Sequence, residues 1–178
     1  MKNNLTEMDK VISSRYLYKA KKKNWRDLPK DQCWTQGYLF DNDYSGEEQR
    51  FFVGSLVIDD YVGMGCDEWD INGTNFYEID PTTICQCVGF EDKNGNVIFE
   101  HDILKGFFYP YKYDDEHNYY GLCSWIDESK AFMIYTIKNP ESDVNGISHG
   151  NTELMEGWNP AMWEIIGNEF DNPELLGE

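Results

Sequence analysis

The sequence predicts an all-β fold, or a β-dominated one that approaches α+β only through short helices, built of antiparallel sheets. Three observations predict it. Apolar residues alternate or form short runs between turn formers, rather than recurring at helical spacing. The chain holds 12 Tyr, 10 Phe and 6 Trp, residue types enriched on pleated surfaces. Asp92-Lys93-Asn94-Gly95 separates two apolar arms, and Asn-Gly in that setting is a strong hairpin signal of type I′.

The elements follow from these patterns. Residues 1–14 are polar, with Met8, Val11 and Ile12 spaced for a short amphipathic turn. Tyr16-Leu17-Tyr18 reads as a first strand and Trp34 to Phe40 as a second. Between them Lys19, Lys21, Lys22, Lys23 and Arg26 read as a solvated edge or loop, the alternative being a phosphate-binding strip around Trp25. Gln49 to Asp60 is one bent strand or a strand pair, and 61–74 an irregular loop. The arms of the organising hairpin carry Ile84, Gln86, Val88 and Phe90, then Val97, Phe99 and Ile103. Phe107 to Tyr120 reads as a long hairpin with an acidic tip, Pro110 demanding an edge or bulge. Tyr120–Asp127 and Ala131–Lys138 form the next hairpin, 139–160 a long loop, and Met162–Ile166 a last strand. This succession suggests a small SH3-like barrel in the C-terminal half. The whole reads as one domain of 178 residues, alternatively as two lobes, 15–80 and 81–178.

Charge is unevenly placed. Residues 1–30 hold nine basic against three acidic groups, a balance of +6, while the remainder holds six against thirty, a balance of −24. So acidic a body repels nucleic-acid backbones and favours basic partners, the alternative being that the charge serves solubility alone. The chain has five cysteines and no C-x-x-C. Cys85 and Cys87 share one face of a strand and lack the further ligands zinc requires, so buried free thiols and no cofactor or metal are expected. Asp41, Asp43, Ser45 and Gly46 match part of a calcium loop, but Phe52 occupies the position of its bidentate Glu. No apolar run reaches the roughly 18 residues of a membrane helix, and MKNNLTEMDKVISS has no apolar signal core. A cytoplasmic protein with no membrane association is expected.

Three blocks, in order, resemble the YopX family of bacteriophages and prophages. The first and weakest is Arg15-Tyr16-Leu17-Tyr18 with Trp34 and Gly37. The second is Pro81, Thr83, Gln86 and Gly89, then Asp92-Lys93-Asn94-Gly95, Ile98-Phe99-Glu100 and Asp102-Ile103. The third is Trp163-Glu164-Ile165-Ile166-Gly167-Asn168 with Asp171-Asn172-Pro173-Glu174-Leu175-Leu176. Thr82, Cys85, Cys87 and His101 stand where the family block has Glu, Gly, Tyr and Gly. The resemblance implies a mostly β protein of phage type in a bacterial host cell. It transfers no activity residue by residue.

Catalytic motifs of nucleophilic, metalloprotease, P-loop or dinucleotide type are lacking. Glu100 and Asp102 are expected on one face of a strand with His101 on the other, where they would not cooperate. The expected function is therefore a non-enzymatic interaction module, an acidic binder or nucleic-acid mimic acting on a basic host or phage protein. The alternative is a β protein that binds a small nucleotide-like ligand among aromatics. The candidate surface is Tyr111, Tyr113, Asp114, Asp115, Glu116, Tyr119 and Tyr120, where carboxylates steer encounter and tyrosines supply contact area. The competing reading has the same tyrosines packing a sheet. No direct binding of duplex nucleic acid is expected, and a homo-oligomer is compatible with the sequence.

Overall fold

A computed structural model describes residues 16–42, 48–60, 69–107, 118–138, 152–154 and 162–177. These divide into two units, Tyr16–Gln86 and Cys87–Glu178.

In the first unit, β1 (Tyr18–Lys21), β2 (Trp34–Asp41), β3 (Phe51–Asp60) and β4 (Trp69–Glu78) form an antiparallel meander in the order β4-β3-β2-β1. The free side of β1 takes the first two residues of β5 (Cys85–Glu91), with Tyr18 opposite Gln86 and Lys19 opposite Cys85. Strand alternation sends Ala20 and Val53 to one face, where they form a core with Ile79. Tyr18, Leu39, Phe51 and Ile84 close over it. Gln49 to Asp60 thus resolves into one strand, bent by a register shift between Val53 and Ser55. Part of the expected loop is strand instead, because backbone pairing with β3 runs from Trp69 onward. That pairing supplies hydrogen-bond partners to residues with little alternation of their own.

In the second unit, the rest of β5 pairs with β6 (Val97–Phe99). A five-stranded antiparallel sheet follows, built of β7 (Asp102–Phe107), β8 (Asn118–Ile126), β9 (Ala131–Lys138), β10 (Thr152–Leu154) and β11 (Glu164–Asn168). Its order is β10-β9-β8-β7-β11. The strands expected to build a small barrel, β7, β8, β9 and β11, lie in this one sheet. The core is Ile98, Leu104, Tyr119, Cys123 and Ile134, with Val88, Phe132, Trp163 and Ile165 packed against it. The last strand is shifted two residues from its expected place, and Pro173–Leu176 forms a 3-10 turn after it. Among the described residues there is no α-helix, and no helix is long and apolar enough to cross a membrane.

Candidate functional site

The organising hairpin is built differently from the expected type I′ turn. Gly95 takes a φ of +80°, and Asn94 is not among the non-glycine residues with positive φ. The Gly95 amide donates to the Asp92 carbonyl (3.0 Å), and the Asp92 amide donates to the Asn96 carbonyl (2.8 Å). This is a three-residue loop with glycine in the left-handed position, closing a type I turn with a bulge. The reason is Asp92. Its buried carboxylate accepts the amides of Asn94 and Asn96 at 2.8 Å each, and the Asn96 side chain at 3.2 Å. Collecting those donors folds the loop around the carboxylate. Burial pushes the Asp92 carboxyl up, but the amides of Asn96, Ile165 and Asn94 outweigh it and hold the group below its ordinary range.

The same carboxylate reaches the C-terminal block: the Ile165 amide donates to Asp92 Oδ2 at 3.2 Å. Beside it the Lys93 amide donates to the Trp163 carbonyl (2.7 Å), and Lys93 Nζ pairs with Glu164 (2.6 Å). β7 and β11 continue the junction as paired strands, Lys105 opposite Glu164. Trp163 lies directly over Gly106, where a Cβ would meet its ring at 2.5 Å.

His101 corrects a second expectation. It is not on a strand face but in the corner between β6 and β7, at a φ of +66°. This left-handed conformation favours glycine, the residue that the resembling block carries there. The corner is held by backbone bonds, His101 N–H to the Cys123 carbonyl (2.7 Å) and Glu169 N–H to the His101 carbonyl (3.1 Å). His101 Nδ1 lies 3.1 Å from Glu169 Oε2 and Nε2 lies 3.9 Å from Glu100 Oε1. The Nδ1 contact is close but imperfectly aligned, and it acts on the ring both as a hydrogen bond and through the carboxylate's charge. Phe170 meets the ring edge-on at 5.2 Å. Burial acts to discharge the ring, but Glu169, then Glu100 and Asp102, outweigh it and raise the His101 pKa above the ordinary histidine value. Asp102 is itself buried and accepts the Phe99 amide at 2.8 Å.

Within the first unit the basic run is solvated only in part: Lys23 and Arg26 are exposed in the loop after β1, while Lys21 is drawn inward. Lys21 is only 2% exposed, with its ammonium 3.9 Å from the Trp25 ring centre and 5.4 Å from that of Trp34. Lys22 lies over Tyr77, and Arg26 over Trp25. Lys23 pairs with Glu78 at 2.6 Å. Asp80 is held below its ordinary range, chiefly by the Thr82 hydroxyl, against burial, with help from Trp25, the Thr82 amide and Arg26. A cleft of about 250 Å³ beside these groups is lined by Lys23, Arg50, Phe51, Glu78, Asp80 and Pro81 among others. The cations were visible in the sequence. Their aromatic and acidic partners were not, because Glu78 lies 55 residues beyond Lys23.

Of the predicted surface, Tyr111, Tyr113, Asp114, Asp115 and Glu116 lie outside the described residues. Tyr119 does not belong to an exposed surface. It is a core residue at 4% exposure, its hydroxyl 2.6 Å from that of Thr136 and its ring edge-on to Trp163 at 5.6 Å. Position 119 falls on the inward face of β8, so packing claims the ring. Tyr120 is half-buried on the opposite side of the strand, with the Lys138 ammonium 5.3 Å from its ring centre. The arms Phe107 and Asn118 do pair, as the expected hairpin requires. Four described cysteines are free and buried, and no group of metal-ligand type occurs among the described residues.

The junction consists of the two blocks most characteristic of the sequence, and the comparison with known families covers both. The family model described as YopX protein matches residues 39–177. The chain belongs to the YopX family. No curated protein matches it. In this YopX-family chain the hairpin block and the closing block each supply backbone or side-chain partners to the other.

Proposed function

We propose that this YopX-family chain is a non-enzymatic interaction protein of a bacteriophage or prophage, engaging a basic protein partner through acidic surface of its C-terminal unit. The observation that carries the reading is charge. Residues 87–178 hold five basic against eighteen acidic groups, a balance of −13. Lys93 and Lys130 are already paired with this unit's own Glu164 and Asp127. The remaining carboxylates raise the encounter rate with a cation-rich partner and disfavour phosphates. The residues proposed for contact are Tyr111, Tyr113, Asp114, Asp115, Glu116 and Tyr120, without Tyr119. The cytoplasm of the bacterial host is the proposed compartment. The nucleotide-like alternative gains less support, since Glu78 and Asp80 share the cleft with Lys23 and Arg50.

The test is capture from bacterial host lysate, followed by titration of the identified partner with the native chain and with Asp114→Ser, Asp115→Ser, Glu116→Ser combined. A basic partner is expected, with affinity falling as salt shortens the Debye length from about 10 Å at 0.1 M toward 3 Å at 1 M. The triple variant is expected to weaken it. An unchanged partner set and salt dependence in the variant would remove this tip from the interface. Tight binding of the native chain to duplex DNA near physiological salt would overturn the electrostatic argument itself.

A further inference from the structure

We propose that His101 and Glu169 form a protonation-controlled clasp, closing the C-terminal turn onto the β6–β7 corner when the imidazole is charged and loosening it when the proton leaves. The geometry is reciprocal. The Glu169 amide donates to the His101 carbonyl at 3.1 Å, and the Glu169 carboxylate lies 3.1 Å from His101 Nδ1. One link joins backbone groups and the other joins titratable side chains. The charged groups facing the imidazole are Glu169 from the C-terminal turn and Glu100 and Asp102 from its own corner. β8 contributes its Cys123 carbonyl to the His101 amide and its Trp125 amide to Glu100. The charged ring therefore sits among three carboxylates.

Loss of the proton leaves Glu100 and Glu169 flanking a neutral ring at a residue held in the left-handed conformation. The backbone bond from Glu169 to His101 and the edge contact of Phe170 then act without the ionic contact. The turn has its own internal bonds, with Asn168 Oδ1 accepting the amides of Phe170 and Asp171. The folded pKa is raised, so the clasp contributes fully below the ordinary histidine pKa and fades as pH rises through the folded value.

The experiment is NMR on the full chain from about pH 5.5 to 8.5, a window bracketing the ordinary histidine pKa of about 6.5. It follows the His101 ring protons, and hydrogen exchange at the Glu169 and Leu175 amides corrected for intrinsic base catalysis. The His101 pKa is expected above the ordinary value and lowered by Glu169→Gln. Protection at Glu169 is expected to fall by about tenfold for each unit of that elevation as the ring discharges. His101→Gln should show the lower, pH-independent protection throughout, and Glu169→Gln serves the same purpose should His101→Gln not fold. A His101 pKa at or below the ordinary value, or protection in the native chain that does not follow its titration, would overturn the clasp.

Discussion

Asp92 and Ile165 are 73 residues apart in sequence, yet the Ile165 amide donates to the Asp92 carboxylate at 3.2 Å. One side chain thereby shapes a hairpin loop and joins it to the last strand. The loop donors occupy Oδ1, while Oδ2 takes the Asn96 side chain and the distant amide. Asp92→Ala should therefore destabilise the second unit by about 1–3 kcal/mol for each buried donor left unpaired. Urea unfolding followed by tryptophan fluorescence checks it.

The same carboxyl sets an acid limit. Asp92 and Asp80 are both held below their ordinary range, so their stabilisation is complete above the unfolded carboxyl pKa and is lost as pH falls through the lower folded values. Stability measured from about pH 6 down to pH 2, across the ordinary aspartate pKa near 3.9, should fall less steeply in Asp92→Asn than in the native chain.

Gly95 has open space around its Cα and a φ of +80°. A side chain there meets no neighbour, so the cost of substitution is backbone strain alone. Gly95→Val should cost about 1–3 kcal/mol, and Gly95→Asn less, since asparagine tolerates the left-handed region. Equal denaturation midpoints for Gly95→Val and the native chain would show that the loop has another way to close.

Gly106 poses the opposite case. Its Cβ would lie 2.5 Å from the Trp163 ring, in a wall made by the closing block. Gly106→Ala should cost about 1–3 kcal/mol through overpacking, with displacement of Trp163 from its edge-on contact with Tyr119 visible in near-ultraviolet circular dichroism.

Tyr119→Phe isolates the buried hydroxyl pair. Removing the phenol oxygen 2.6 Å from Thr136 leaves a fully buried hydroxyl short of one partner, an effect of about 1–3 kcal/mol in urea unfolding.

The hairpin at Asp92–Gly95 was legible in sequence because turn chemistry is local, and so were the strands flanking it. Its type was not, because Asn94-Gly95 is compatible with two loop geometries. The choice falls to a carboxylate whose fourth donor comes from Ile165. Lys21 shows the same limit. A lysine in a basic run reads as solvated, and only the folded sheet brings Trp34 opposite it and the following 3-10 turn sets Trp25 against it. Tyr119 and Tyr120 are chemically alike in the sequence, and strand alternation alone sends one inward and leaves the other half-exposed. His101 carried no sequence signal of its left-handed corner beyond the glycine that the family block has there.

Amide hydrogen exchange at Ile165 and Asn96 tests most directly that the two blocks form one structural unit around Asp92. Both amides donate to the same carboxylate. They should open with the same free energy in the native chain and lose protection together in Asp92→Ala. Rapid exchange at Ile165 beside a protected Asn96, unchanged by Asp92→Ala, would contradict the account.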